Sequence, residues 1–122
     1  MENKKVIPIL RIFDQAKALE FYVDWLGFKV DWEHRFATDL PLYMQISFEH
    51  ITLHLSEHHG DGSPGSKVFI EFSGLKKYHK LLLDKKYKFN RPGIENASWN
   101  ADTVQVSDPF GNTLLFSESK EV

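Results

Sequence analysis

The sequence predicts an α+β fold made of two βαβββ modules. Runs of alternating apolar and polar residues indicate the strands, and apolar residues at helical spacing indicate one helix in each half. The same order of elements occurs on both sides of a glycine-rich segment, EHHGDGSPGS, at residues 57–66. We expect one domain, because 122 residues are too few for two ordinary ones. Module 1 spans about residues 1–57, the linker residues 58–66 and module 2 about residues 67–122.

Module 1 begins with a strand predicted over residues 6–12. Asp14 can accept a backbone N–H and cap the next helix, and Gly27 can end that helix because glycine tolerates a left-handed backbone. The apolar stripe of this helix consists of Leu19, Tyr22, Val23 and Leu26. Alternation continues over residues 42–48 and, after a tight turn at residues 49–50, over residues 51–55.

The clearest strand pattern in module 1 covers residues 28–36, which alternate over nine positions. One side of this predicted strand comprises Phe28, Val30, Trp32, His34 and Phe36. The other side comprises Lys29, Asp31, Glu33 and Arg35.

Module 2 repeats the order of elements. Residues 67–72 form its first predicted strand, and a helix with Leu75, Tyr78 and Leu82 on one face follows to about residue 86. Residues 89–97 are irregular, with room for a short strand. Strands over residues 102–107 and 113–117 are joined by a turn in which proline and glycine occupy favourable positions.

Composition and charge exclude several classes of protein. A formal net charge of −2 gives no broad basic surface for nucleic acid. The chain has no cysteine, which excludes disulfides and thiolate metal sites and suits a reducing compartment. It has neither the apolar stretch of a signal peptide nor the roughly 20 apolar residues that cross a bilayer. We therefore expect a soluble cytoplasmic protein without nucleic-acid or membrane partners.

Two motifs make the sequence resemble the vicinal oxygen chelate superfamily, which includes glyoxalases, extradiol dioxygenases, fosfomycin-resistance enzymes and bleomycin-resistance proteins. They are DQAKALEFYVDWLGF at residues 14–28 and DPFGNTLLF at residues 108–116. The chain is most similar to the bleomycin-resistance proteins, through IPIL at residues 7–10 and DWEHRF at residues 31–36. The resemblance covers nearly the whole chain. It implies that the two modules form a curled mixed sheet around a groove.

The chain departs from these relatives in one loop. They commonly carry Pro-Trp-Gly and then Arg-Glu ahead of the final hairpin. Here Trp99 keeps the tryptophan, but Ser98 and Asn100 flank it, and Asp102 and Thr103 stand in place of the Arg-Glu pair.

The resemblance also places the metal ligands of the catalytic members near Ile7, His54, Ser66 or Lys67, and Leu115. Such sites need histidine or glutamate side chains that converge on a divalent ion. Leucine has no lone pair to donate, and only His54 could bind a metal. We therefore expect no metal, no cofactor and no catalytic residue. The alternative is a metal-dependent glyoxalase-like lyase or isomerase, or a dioxygenase.

His54 and Glu71 both alternate with apolar neighbours, so their side chains point away from the apolar face of the strand. His54 could contact a ligand or hydrogen-bond to a neighbouring side chain. Glu71 could be a groove carboxylate or a partner in a surface ion pair.

A groove that sequesters a flat, partly cationic ligand needs aromatic walls and a few carboxylates, because a desolvated cation–π contact contributes roughly 0.5–2 kcal/mol. The expected ligand-binding residues are Trp32, Phe36, Tyr43, His54, Phe69, Glu71, Trp99 and Asp102. The resemblance implies metal-independent sequestration of a glycopeptide-type antibiotic such as bleomycin. The groove would lie at the interface of a homodimer. Binding of another small metabolite is an open alternative.

Overall fold

The structure, a computed structural model, describes residues 1–120. The chain forms two compact units, Met1–Pro64 and Gly65–Val122, and the division falls inside the predicted linker. Each unit has the order strand, helix and three strands, and each builds one mixed four-stranded sheet. This confirms the predicted βαβββ plan of both modules.

Unit 1 contains a sheet with the strand order β1-β4-β3-β2, in which only β1 and β4 run parallel. Its elements are β1 (Ile9–Arg11), α1 (Gln15–Leu19), a π-helical continuation (Glu20–Trp25), β2 (Lys29–His34), β3 (Tyr43–Phe48) and β4 (Ile51–Ser56). The first strand is therefore shorter than the seven residues predicted for it.

The helix of unit 1 has the predicted ends. The Asp14 side chain accepts a hydrogen bond from Lys17 N at 3.0 Å, and Gly27 has a φ of 92°. The second half of the helix is π-helical, with a hydrogen bond from Leu26 N to Phe21 O at 3.0 Å. Because a π turn holds more residues than an α turn, the buried stripe differs from the predicted one. It consists of Ala18, Phe21, Tyr22, Trp25 and Leu26.

The strict alternation predicted for β2 is wrong at one position. Val30 pairs with Ile46 but Trp32 pairs with Gln45, so Asp31 is the extra residue of a β-bulge. The Asp31 carboxylate accepts hydrogen bonds from Gln45 and from Ser47 at 3.0 Å each. The bulge therefore turns Asp31 to the same face as Trp32, although simple alternation puts the two on opposite faces.

Unit 2 contains a sheet with the strand order β5-β8-β7-β6, in which β5 and β8 run parallel. Its elements are β5 (Lys67–Glu71), α2 (Leu75–Asp84), β6 (Ile94–Ala97), β7 (Ala101–Ser107) and β8 (Thr113–Ser119). Helix α2 ends two residues before the predicted position, and β6 supplies the short strand for which the irregular segment had room.

The N-terminus of α2 is fixed by β8. The Glu118 carboxylate accepts hydrogen bonds from Gly74 N at 2.9 Å and from Leu75 N at 3.0 Å. These two backbone groups have no partner within the helix, so Glu118 performs the capping role that is normally given to a side chain just before the helix.

Each sheet buries one face. Residues from alternate positions of the strands make up these two cores, together with the apolar side of the helices. The sheet residues are Met44, Ile46, Leu53 and Leu55 in unit 1, and Ile70, Val104, Val106, Leu114 and Phe116 in unit 2. Within residues 1–120, none of the helices has the length and apolar character required to cross a membrane.

Candidate functional site

The face of the unit 1 sheet opposite its core, here called open face 1, carries most of the predicted site residues of that unit. Strand pairing aligns them in rows. One row consists of Ile9, His54, Gln45 and Trp32, and the next consists of Arg11, Ser56, Tyr43 and His34.

A chain of hydrogen bonds connects the polar side chains of open face 1. The Tyr43 hydroxyl lies 2.7 Å from His54 Nδ1, and His54 Nε2 lies 3.0 Å from Gln45 Oε1. The Gln45 amide nitrogen donates to Asp31 at 3.0 Å. An ionised carboxylate only accepts, so the Gln45 oxygen must face His54, which then carries its proton on Nε2. Tyr43 therefore donates to Nδ1, and both ring nitrogens of His54 are engaged.

The protonation states fit this chain of hydrogen bonds. Burial, assisted by the positive charge of Lys5, lowers the pKa of His54 and keeps the imidazole neutral. The hydrogen bond from Gln45 lowers the pKa of Asp31, although partial burial acts in the opposite direction. Burial, with a smaller contribution from Asp61, raises the pKa of Tyr43 and keeps the phenol protonated. Of the two roles that sequence left open for His54, the structure thus shows the hydrogen bond to neighbouring side chains.

The neutral imidazole predicts a pH-dependent stability. A histidine whose pKa is lower in the folded than in the unfolded protein adds most to the free energy of unfolding above its unfolded-state pKa of about 6.5. This stabilisation is lost as the pH falls from the unfolded-state pKa towards the folded-state pKa. We expect the stability difference between the parent protein and His54→Gln to shrink over this window. Urea unfolding at several pH values would measure it, with His50→Gln in the exposed β3–β4 turn as the control. A difference that grows on acidification would contradict a neutral His54.

Aromatic rings cover part of open face 1. Trp32 stacks on Tyr43 with ring centroids 6.0 Å apart and planes 12° apart, and His54 meets the edge of Trp32 at 5.3 Å. Trp32 remains 43% exposed. Phe36 lies beyond the end of β2, is 78% exposed and contacts His34. The structure thus brings Trp32, Tyr43 and His54 together, whereas the ring of Phe36 contacts that of His34.

The corresponding face of the unit 2 sheet, here called open face 2, has a different chemistry. One row of paired residues consists of Glu71, Ser117, Thr103 and Glu95, and the next consists of Phe69, Leu115 and Gln105. Trp99 lies in the β6–β7 turn, where its indole N–H donates to Ser117 Oγ at 3.3 Å. Its ring lies 6.3 Å from that of Phe69. Phe69 and Trp99 are each more than half exposed, at 55% and 54%.

A cavity of about 270 Å³ opens on this face and is lined by Gly93, Glu95, Thr103, Gln105 and Leu115. Sequence reasoning did not select Glu95 or Gln105. Alternation with Val104 and Val106 could have placed Gln105 on the open face. Glu95 lies in the segment that seemed irregular, so only its pairing with Thr103 in the folded sheet places it there.

Asp102, like Phe36, is a predicted site residue that does not join the others. It alternates with Thr103 in β7 and so shares the side of Val104 and Val106, away from open face 2. Its carboxylate forms an ion pair with Lys120 at 3.3 Å. Glu71, in contrast, lies on open face 2 beside Ser117, as its alternation predicts.

The positions that the resemblance gave for metal ligands do not fit a divalent ion. Leu115 lies in the middle of open face 2, between Phe69 and Gln105, and offers no donor atom. His54 has both nitrogens occupied by hydrogen bonds. In the described part of the chain, residues 1–120, no three histidine, aspartate or glutamate side chains are grouped to hold a metal. We therefore assign no metal-dependent step to these residues.

Comparison with known proteins agrees with this architecture. The family model described as "Glyoxalase superfamily protein" matches residues 1–122. Among solved structures, a bleomycin-binding protein complexed with bleomycin is 17% identical, with a TM-score of 0.72 and coverage of 97% of this chain and 100% of that one. The antibiotic-binding protein TnmS3 from Streptomyces sp. CB03234 is 19% identical, with a TM-score of 0.75 and coverage of 98% and 99%.

A bleomycin resistance determinant encoded on the transposon Tn5 is 16% identical, with a TM-score of 0.75 and coverage of 98% and 100%. At these identities the likeness shows the fold alone. No curated protein sequence matches this chain. The family model covers the whole sequence and the structure has the same fold, and the protein therefore belongs to the glyoxalase superfamily.

Proposed function

We propose that this protein binds a flat, partly cationic small molecule on its open faces and makes or breaks no bond in it. The ligand we propose is a glycopeptide-type antibiotic such as bleomycin, which binding would sequester. The observation that supports this most directly is the exposure of paired aromatic rings on both open faces. Phe69 and Trp99 are each more than half exposed, and Trp32, which stacks on Tyr43, is 43% exposed.

The energetics of such a surface favour a planar ligand. An aromatic pair contributes about 0.5–1.5 kcal/mol beyond the burial of its apolar area. A ligand ring that stacks on an exposed tryptophan therefore gains both the burial of apolar area and this ring–ring interaction. Glu71 on open face 2 adds a negative charge beside Phe69, which suits a ligand with cationic groups. Solved structures of an antibiotic-binding and a bleomycin-binding protein share the fold, which makes this ligand class a reasonable first choice.

The state of His54 supports binding without catalysis. A general base must be free to take a proton from the substrate within hydrogen-bond reach. His54 accepts from Tyr43 at Nδ1 and donates to Gln45 at Nε2, so it would have to give up an existing hydrogen bond to act. We infer that the histidine holds the aromatic wall in place.

We also propose that the binding groove is completed by a second copy of the chain. Unit 1 exposes large apolar side chains, with Val6 at 93%, Phe13 at 55% and Phe36 at 78%. A second copy of the chain would cover such side chains, and symmetric dimers are the commonest assemblies.

Titration with bleomycin tests the proposed function through tryptophan fluorescence. Trp25 is only 2% exposed, whereas Trp32 and Trp99 lie on the open faces, so a bound ligand should change the emission of the latter two. We expect a saturable change at no more than tens of micromolar ligand. We expect it to be reduced in Trp32→Phe and Trp99→Phe and retained in Trp25→Phe, after circular dichroism has confirmed that each variant is folded.

Two results would contradict this proposal. The first is unchanged emission at tens of micromolar bleomycin. The second is a stoichiometric metal ion in protein purified without chelator, which would instead support a glyoxalase-like lyase or isomerase, or a dioxygenase. Sedimentation of the same samples at micromolar concentration would test the dimer, and a purely monomeric species would rule it out.

A further inference from the structure

We propose that the cavity on open face 2 is a subsite for an organic ammonium group, with the Glu95 carboxylate as its counter-ion. The assignment rests on the proposed function, because it specifies which part of a bound ligand enters unit 2. It is based on the residues that line the cavity, on their charges and on the aromatic pair beside it.

The size of the cavity limits which part of a ligand it can hold. Its volume of about 270 Å³ lies just below the roughly 300–1,000 Å³ of pockets that enclose a drug-sized ligand. The cavity therefore suits one end of a ligand, with the remainder outside on the open face. Phe69 pairs with the cavity residue Leu115 in the neighbouring strand, and Trp99 contacts Phe69, so exposed aromatic rings continue the surface beyond the cavity.

The charge of the cavity lining favours a cation over an anion. Among the lining residues within 1–120, Glu95 is the single ionisable one, and the other polar side chains, Thr103 and Gln105, are neutral. Lys67 of β5 lies on the same sheet face as Leu115 but outside the cavity lining, where it pairs with Thr113 in the row next to Leu115. An anionic group would therefore meet a negative charge, whereas a cation would meet a carboxylate and neutral hydrogen-bond acceptors.

The Glu95 carboxylate is available to a ligand. The Glu95 backbone carbonyl accepts a hydrogen bond from Thr103 Oγ1 at 3.4 Å, which ties β6 to β7. The Glu95 carboxylate itself forms neither a hydrogen bond nor an ion pair with any residue in the 1–120 range. Glu95 is exposed, so its negative charge is available to a ligand, and the buried Thr103 forms the wall beside it at 7% exposure.

An ammonium group fits this lining better than a metal ion does. A divalent cation needs several converging oxygen or nitrogen donors, and Leu115 places a side chain without donor atoms on the cavity wall. An ammonium carries three N–H donors. It can be shared between one carboxylate and neutral acceptors, while its carbon chain packs on leucine.

A matched set of small aromatic probes tests the subsite independently of any antibiotic. We would use 2-phenylethylamine, 2-phenylethanol and 3-phenylpropionate, which share the ring and differ in charge. Amide chemical shifts in ¹H–¹⁵N spectra would report binding at Gly93, Glu95 and Gln105. We expect the amine to bind there about five- to tenfold more tightly than the alcohol, as a partly exposed charged hydrogen bond allows, and the carboxylate to bind more weakly than either.

Glu95→Gln should abolish the preference for the amine over the alcohol. Asp84→Asn is the control, because it removes an exposed carboxylate from the end of α2 in the same unit but outside the cavity lining, and it should leave the preference unchanged. Equal affinity for amine and alcohol in the parent protein, or a preference that survives in Glu95→Gln, would overturn the assignment. Loss of the preference in Asp84→Asn as well would show a general effect of the negative charge of unit 2 and would also overturn the assignment.

The two proposals can fail separately. If the amine shows the expected preference but bleomycin does not bind, the proposed antibiotic is wrong and the ammonium subsite stands. If bleomycin binds but the amine has no preference for the cavity, the subsite is wrong and the proposed function stands.

Discussion

Phe116→Ala is expected to lower the free energy of unfolding by about 3–5 kcal/mol, as large-to-small changes of buried aromatic residues do. Phe116 lies in the middle of β8 and is fully buried. Its ring packs on Phe72 and on Tyr78 of α2, with both centroid distances at 5.5 Å. The substitution would leave a cavity between the sheet and the helix that rigid neighbours cannot fill. Urea unfolding followed by circular dichroism would measure the loss.

The neighbouring residue provides the control. Leu115 lies on open face 2, one position earlier in β8, and is only partly buried. Leu115→Ala should cost about 1 kcal/mol, since little of its apolar surface is lost from a packed core. If both substitutions cost the same, the assignment of core and open face to β8 would be wrong, and with it the location of the ammonium subsite.

Asp108→Ala is expected to destabilise the protein by about 3 kcal/mol, because hydrogen bonds to a buried charged group are among the strongest and their loss leaves donors unsatisfied. Asp108 is 6% exposed in the turn between β7 and β8. Its carboxylate accepts from Phe110 N and Asn112 N at 2.8 Å each. It also accepts from the Asn112 side-chain amide at 2.9 Å.

Two further variants show whether the charge or the geometry of Asp108 matters. Asp108→Asn keeps the shape but turns one acceptor into a donor that faces the Asn112 amide, so we expect it to lose a substantial part of the same stability. Asp39→Ala, at an exposed position before β3, should stay within about 0.5 kcal/mol of the parent protein. Thermal unfolding of the three variants would rank them, and an Asp108→Ala protein as stable as Asp39→Ala would contradict the role of the turn.

Phe116 and Asp108 belong to the scaffold of the candidate site, because the same strands form both the buried core and the open face. In β8 the even-numbered residues Leu114 and Phe116 are buried, while Leu115 and Ser117 belong to open face 2. The packed side holds the open side in position, which is what a preorganised binding surface requires. A change in the core should therefore alter ligand affinity as well as stability.

Much of the local structure was predictable because short-range signals determine it. Asp14 and Gly27 bound the first helix through capping chemistry and a left-handed backbone, and both are as expected. Alternation placed His54 and Glu71 away from the apolar faces of their strands, and the register agrees. The repeat of one element order in both halves gave the two βαβββ modules, whereas the curled sheet around a groove was implied by the resemblance.

The differences arise where partners distant in sequence decide the outcome. Nothing within residues 28–36 indicates a bulge, and the position of Asp31 depends on its pairing with β3. Nothing in the local pattern of residues 89–97 indicates which side of a sheet Glu95 faces until β6 pairs with β7. Asp102 was predicted to bind ligand, but its position in β7 directs its carboxylate to an ion pair with Lys120.

The sequence by itself determined the two βαβββ modules, the ends of the first helix and most of the alternation along the strands, because these follow from backbone preferences and burial within a few residues. Only the tertiary structure decided which side chains meet. It joined Tyr43, His54, Gln45 and Asp31 into one chain of hydrogen bonds. It also placed Glu95 in the wall of a cavity with Leu115. Such contacts depend on strand register, which is set by the packing of a whole sheet and not by any one of its strands.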